Sequence, residues 1–137
     1  MTGYASNLFR HNCSQKGCYY DTLPDWSWMR EVFPRGIMPT DIDGMVEINS
    51  NFLFIEQKQP GVGLPDGGQG RAMKRLSQLP KVTVVLFRPA PGTPGGYQYL
   101  WIRSGRGSGW KSASISDFGE WLRWWCETAN KNKTEAA

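Results

Sequence analysis

The stretch DIDGMVEINSNFLFIEQK, residues 41–58, decides the fold of this chain and raises its main question. Its apolar and β-branched residues predict two strands, 41–48 and 51–58. Asn49-Ser50 would form the turn between them, because Asn tolerates the positive φ that a two-residue hairpin turn requires. Acids and a lysine interrupt these otherwise apolar strands, and buried charge is costly unless it is paired or bound to a metal. The charges therefore raise the question whether they form a functional site.

The turn sets which charged residues face each other. With a two-residue turn, Asp43 lies opposite Glu56 and Asp41 lies opposite Lys58, and opposed residues share a face with Cβ atoms about 5 Å apart. Two carboxylates this close require either a raised pKa or a bound cation. Oxygen ligands favour Mg²⁺ or Mn²⁺, and the backbone carbonyl of Gln57 would add another oxygen. The alternative is an exposed hairpin end with ordinary cross-strand ion pairs, and the pattern leaves both interpretations open.

The rest of the chain predicts a mixed sheet flanked by helices, in a single domain over residues 1–129 with a flexible tail over 130–137. Apolar residues at helical spacing predict the helices, and β-branched or aromatic runs predict the strands. The predicted elements beyond the hairpin are a short helix 23–33, a Gly/Pro loop 59–70, a helix 69–79, a buried strand 81–87, a strand 97–103, a basic loop 104–112 and a helix 114–129. Ser116 and Asp117 are the expected caps of the last helix.

Composition narrows the class of protein. The chain has 137 residues and a formal net charge of +4. Its apolar runs are shorter than the roughly 18 residues that span a bilayer, so no membrane partner is expected. The N-terminal residues lack the apolar block of a signal peptide, and we expect a cytoplasmic protein. Three cysteines argue against a disulfide framework; Cys13 and Cys18, with Cys126, form either a zinc site or ordinary reduced thiols.

Basic side chains gather in two segments of the sequence. One is the predicted helix 69–79 and the other is the Gly-rich loop 104–112. Such residues contact DNA phosphates in many complexes, but a solvated basic surface explains them equally well. The candidate DNA-binding residues are Arg71, Lys74, Arg75, Arg103, Arg106 and Lys111.

A resemblance adds to this interpretation. The segment FIEQKQPGVGLPDGGQGRAMKRL, residues 54–76, places Glu-x-Lys before a Pro-Gly loop and a Gln at a helix start. With Asp43 it resembles the PD-(D/E)xK nuclease superfamily, in particular small phage-type VRR-NUC and Holliday-junction-resolvase-like nucleases. The resemblance covers roughly residues 37–87 and implies a restriction-endonuclease-like α/β fold. Ile42 stands where the superfamily name has Pro.

The resemblance also implies roles for individual residues. Asp43 and Glu56 would bind Mg²⁺ with the carbonyl of Gln57, and Lys58 would assist the attacking water. Gln69 would reach the site from the helix start. The superfamily often uses a further acid, for which Glu31 and Asp41 are the candidates; these residues complete the expected set.

The function implied is Mg²⁺-dependent hydrolysis of DNA, with branched or junction DNA as the expected substrate. A junction resolvase needs two active sites and therefore a homodimer. If the chain is encoded by a phage, the host cytoplasm is its expected location. The alternative is a non-catalytic protein on the same fold that binds DNA or inhibits another nucleic-acid enzyme.

Overall fold

The computed structural model describes residues 27–37, 39, 42–59, 61 and 68–131. The chain divides into two compact units, Met1–Thr40 and Asp41–Ala137. In the first unit, the described residues form two short 3₁₀ helices, Ser27–Glu31 and Pro34–Gly36. The sequence predicts a helix over 23–33, but its described part makes only the short 3₁₀ turn and ends ahead of Pro34. A proline disfavours helical backbone at the residue before it, which limits the turn on that side.

The second unit is a mixed α/β fold. Its described residues form a six-stranded sheet and two α-helices. The elements are β1 Gly44–Ile48, β2 Asn51–Gln57, α1 Gly68–Ser77, β3 Val82–Pro89, β4 Tyr97–Arg103, β5 Arg106–Gly107, β6 Lys111–Ala113 and α2 Ile115–Lys131. The predicted mixed sheet flanked by helices is confirmed at this level.

The order along the sheet is β1-β2-β3-β4-β5, and β6 also pairs with β4. β2 and β3 are parallel, and every other pairing is antiparallel. α1 supplies the crossover that a parallel pair requires. Along the chain, α1 connects the carboxyl end of β2 to the start of β3. Its first residues therefore follow β2 and its last residues precede β3.

Each face of the sheet carries its own apolar cluster. On the α1 face, Met73 packs with Val84, Leu86 and Ile102. On the α2 face, the stripe predicted from helical spacing is confirmed: Phe118, Trp121 and Trp125 are buried and Leu122 packs at their edge. The rings of this second cluster lie 5.1–6.3 Å apart. Neither α-helix of the described chain combines the length and apolarity needed to cross a bilayer.

β3 has the continuous apolar character of a strand covered on both faces, with residues 82–87 all buried. In the predicted helix 69–79 the apolar residues Ala72 and Leu79 fall at helical spacing, but neither is buried. Ala72 is exposed in α1, and Leu79, which follows the helix end at Ser77, is 54% exposed. The early end of α1 leaves Leu79 outside the helical register on which that prediction rested.

The sequence predicts a loop over 104–112, but the structure places β5 and the start of β6 in this segment. Arg106 pairs with Arg103 as β5 meets β4, and Lys111 pairs with Tyr99 where β6 meets β4. Positive φ at Ser104 and Gly105 makes the tight reversal into β5, and Gly109 adds another before β6. Glycine allows such backbone at low steric cost, so the glycines here build turns of a sheet edge.

Candidate active site

The β1–β2 hairpin brings the two predicted acids together. Its register pairs Gly44 with Ile55 and Ile48 with Asn51, as the sequence predicts. Asn49 and Ser50 have φ values of 51° and 63°, which is the left-handed backbone of a type I′ turn. Continuing the register by one residue places Asp43 opposite Glu56.

Asp43 acts on the pKa of the Glu56 carboxyl through its charge, its side chain and its backbone N–H, so the two residues lie in contact. The backbone N–H of Gln57 donates to Asp43 Oδ2 over 2.8 Å. The ladder between β1 and β2 ends at Gly44 and Ile55, and side-chain bonds replace it beyond that point. The contact between the acids is therefore built into the end of the hairpin.

Glu56 is the unusual member of the pair because it is only 7% exposed. Burial raises the pKa of its carboxyl, and the neighbouring charge of Asp43 raises that pKa further. The Asp43 backbone N–H and the charge of Lys58 act in the opposite direction but do not reverse the shift in pKa. A buried acid beside a second acid shares a proton or holds a cation in preference to carrying two uncompensated charges.

Glu56 lies on the α1 face of the sheet. Phe54, two residues earlier on β2, packs against the α1-face cluster. Leu86, which pairs with Glu56 across the β2–β3 ladder, is fully buried in the same cluster. Residues two apart on a strand share a face. The acid pair thus stands on an apolar floor at the carboxyl end of two parallel strands, the position where open α/β sheets usually bind ligands.

Lys58 follows the last residue of β2. Its backbone N–H donates to the carbonyl of Phe87 over 2.8 Å, so the parallel pairing continues one residue past the strand. Its charge acts on Glu56, which shows that the ammonium lies close enough to affect that carboxyl. The structure therefore groups Asp43, Glu56 and Lys58. Gln69 lies in the first turn of α1, Gly68–Ser77, the helix that covers this face.

Arg88 and its neighbours belong to the same face, although sequence reasoning missed them. Arg88 lies two residues after Leu86 on β3 and therefore shares its face of the sheet. The Arg88 Nε donates to Gln98 Oε1 over 2.9 Å. Its guanidinium carbon lies 3.7 Å from the ring centroid of Trp110, which packs against the α1-face cluster. The sequence predicts a loop from residue 88 because Pro and Gly dominate 88–96, yet β3 runs on through Pro89.

The six basic residues expected to bind DNA are all exposed, but they do not form one surface. Arg71, Lys74 and Arg75 lie on α1, which covers one face of the sheet. Arg103 borders a small pocket with Trp125 and Ala129 of α2, on the opposite face. Arg106 pairs directly with Arg103, and Lys111 lies 5.4 Å from the Trp101 ring, so these belong to the α2 side. A single DNA duplex lying on one face would meet only half of them.

The donor set suits a hard divalent cation. The described residues contain no cluster of three or more His, Cys, Asp or Glu side chains. Two carboxylates in contact, with the adjacent backbone of Gln57, still supply the oxygen donors that Mg²⁺ or Mn²⁺ uses when water fills its remaining positions. The residues present therefore fit the metal that the resemblance implies.

Asp41, Cys13 and Cys18 lie outside the described residues. Glu31 ends the 3₁₀ helix Ser27–Glu31 of the first unit. Cys126 is a free thiol on α2 that packs against the aromatic cluster.

No protein-family model, no curated protein and no solved structure matches this chain.

Proposed function

We propose that the protein is a Mg²⁺-dependent DNA nuclease that hydrolyses phosphodiester bonds. The observation that supports this best is the contact between the buried carboxyl of Glu56 and that of Asp43, with Lys58 beside them. Phosphodiester hydrolysis needs a cation site, an activated water and positive charge near the phosphate. These three requirements match the side chains grouped at the end of the hairpin.

Each residue has a distinct part in this proposal. Asp43 and Glu56, with the carbonyl of Gln57, hold the cation and fix its place beside the apolar floor. The bound metal supplies Lewis acidity and lowers the pKa of its water. Lys58 orients the attacking water and stabilises the negative charge that develops on the phosphate. Gln69, in the first turn of α1, is the further residue that the resemblance implies for this site.

The test is cleavage of plasmid, linear, flapped and four-way-junction DNA with Mg²⁺ or Mn²⁺. Wild type should cut, and Glu56→Gln should abolish cutting because it removes a ligand charge. Lys58→Met should lower kcat by about 10²–10³, the usual loss when one charge-stabilising donor is removed. Faster cutting of the junction than of linear DNA would support the expected preference for branched substrates, and a dimer in solution would support a resolvase.

Glu47→Gln is the matched control. Glu47 lies on the same hairpin, is exposed, and accepts a hydrogen bond from the backbone N–H of Ser50 over 2.8 Å. Glutamine can accept the same bond, so this variant should cut like wild type. A wild-type protein that binds DNA but cuts none of the substrates with either metal would refute the nuclease proposal and favour the non-catalytic alternative.

Metal binding can be measured without activity. Titration calorimetry with Mn²⁺ should show one site in wild type and in Glu47→Gln. The site should be lost in Glu56→Gln and weakened in Asp43→Asn. Equal Mn²⁺ affinity in wild type and Glu56→Gln would place the cation elsewhere.

A further inference from the structure

Arg88 is held more firmly than a surface arginine. Its Nε donates to Gln98 Oε1 over 2.9 Å, and its guanidinium stacks on the Trp110 ring at 3.7 Å. Gln98 is its direct partner on β4, so the bond joins two neighbouring strands. Trp110 packs in turn against the α1-face cluster. The Arg88 side chain is thus held by Gln98 of β4 and by Trp110, which lies just before β6.

The sheet register places Arg88 next to the acid pair. β2 and β3 are parallel with Glu56 opposite Leu86 and Gln57 opposite Phe87. The bond from the Lys58 backbone N–H to the Phe87 carbonyl carries this pairing onward, which puts Lys58 beside Arg88. From Glu56, Arg88 is one strand across and two residues along, or about 4.8 Å and about 6.6 Å in strand geometry.

We propose that Arg88 binds a backbone phosphate of the nucleic acid next to the one at the acid pair, and that Gln98 and Trp110 are positioning residues for its guanidinium. This inference rests on the proposed function, because it assigns a second phosphate to the same site. A guanidinium matches phosphate oxygens with two parallel N–H bonds, which an ammonium cannot do. Stacking on an aromatic ring fixes the plane of the guanidinium before the substrate arrives.

The experiment measures DNA affinity against salt concentration, in EDTA, with labelled duplex and single-stranded oligonucleotides. Loss of one phosphate contact should reduce the slope of log K against log salt by about 0.9 for duplex and about 0.7 for single strand. We expect this reduction in Arg88→Met, which keeps an apolar stem over Trp110. Arg123→Met is the matched control, because Arg123 is exposed on α2 and its ion pair among the described residues is with Glu120, at 3.2 Å. Its slope should equal that of wild type.

Two further variants separate binding from structural support. Arg88→Lys should keep the slope but lose affinity, since the charge remains without the paired N–H bonds. Trp110→Leu should likewise keep the slope and lose affinity, because the guanidinium is present but less well placed. Thermal unfolding of each variant shows whether it is folded at the assay temperature, and if Arg88→Met is not, the Arg88→Lys affinity decides.

The outcomes distinguish this inference from the proposed function. An unchanged slope in folded Arg88→Met, or an unchanged affinity in Arg88→Lys, would overturn the role of Arg88. Absence of DNA binding by wild type would overturn it as well. If Arg88→Met shows the expected reduction in slope but wild type never cuts DNA, the nuclease proposal fails. The reduced slope still supports Arg88 as a phosphate-binding residue.

Discussion

At the scale of single residues, Glu56 determines the chemistry open to this site. It is a nearly buried carboxyl, and the charge of a second carboxyl raises its pKa further, so it is costly to ionise without a partner. A protein that needed only a stable strand end would be better served by an apolar residue there. The same arrangement is favourable once a cation or a proton lies between the acids, which ties stability to pH and to metal.

We predict that Glu56→Gln changes the pH dependence of stability. Because the folded-state pKa of Glu56 is raised above its ordinary value of 4.5, the unfolded chain releases this proton first as pH rises. The free energy of unfolding of wild type should therefore fall from about pH 4.5 up through the raised pKa. Glutamine cannot ionise, so the variant should gain stability relative to wild type across that window, in urea unfolding without divalent ions.

The control for this prediction is again Glu47→Gln, which removes a carboxyl from the exposed turn end of the same hairpin. A comparable trend in that variant, or a constant difference between wild type and Glu56→Gln from pH 4 to pH 8, would contradict the assignment to Glu56. Addition of Mn²⁺ at neutral pH should raise the unfolding free energy of wild type and of Glu47→Gln, but not that of Glu56→Gln.

Sequence reasoning could find the acids and not Arg88, and the reason is physical. Asp43 and Glu56 are joined by a local hairpin, whose register follows from the turn. Arg88 reaches the site through parallel pairing across α1, which depends on contacts that no local pattern displays. Its neighbour Pro89 also reads as a strand breaker, although a proline is tolerated at a strand end.

At the scale of elements, the start of α2 shows how a cap is chosen. The predicted caps were Ser116 and Asp117. Instead, Ser114 Oγ accepts the backbone N–H of Asp117 over 3.0 Å, and Asp117 Oδ2 accepts that of Ser114 over 3.1 Å. This reciprocal arrangement is a capping box, with the acid three residues after the cap. The sequence therefore predicts Asp117 as part of the cap correctly, but the N-cap itself is Ser114 and not Ser116.

We predict that Ser114→Ala lowers the free energy of unfolding by about 1 kcal/mol, the usual value of an N-cap. The orphaned backbone N–H of Asp117 is the physical cause. Ser116→Ala is the control, because Ser116 is exposed within the first turn and should change stability by less than about 0.5 kcal/mol. Urea unfolding of the three proteins checks this, and equal loss in both variants would refute the assignment of the cap.

The short strands β5 and β6 show the limit of composition as a guide. Gly-rich sequence with interspersed arginines is typical of a loop, yet positive φ at Ser104, Gly105 and Gly109 folds this segment back onto β4. Local composition indicates where the chain can reverse, while the pairing partner is supplied by the rest of the sheet. The exposed Arg103, Arg106 and Lys111 consequently stand on the edge of a sheet.

At the scale of the whole molecule, the sheet separates two apolar clusters that have different neighbours. The larger lies under α2 and is built largely of aromatic rings, while the smaller lies under α1 and supports the candidate site. The fold class was predictable because buried β3, the hairpin and the α2 stripe all have strong local patterns. The assignment to a restriction-endonuclease-like fold stays a prediction.

We predict that Leu53→Ala lowers the free energy of unfolding by about 2–5 kcal/mol, the range for a large-to-small change in a packed core. Leu53 is 1% exposed on the α2 face, in the larger cluster. Leu79→Ala is the control, because that side chain is 54% exposed and should cost less than about 0.5 kcal/mol. Similar losses in the two variants would show that the α2 face does not carry the core.

The two-residue turn at Asn49 and Ser50 has a consequence for how this chain can change over evolution. Side chains alternate across a strand, so a one-residue insertion that shifted β1 in register would move Asp43 to the α2 side of the sheet and away from Glu56. Surface loops generally accept insertions, but the length of this turn sets the register that places Asp43 opposite Glu56. Natural variants that keep the site should have insertions and deletions elsewhere in the chain. The number of residues between Asp43 and Glu56 should stay the same.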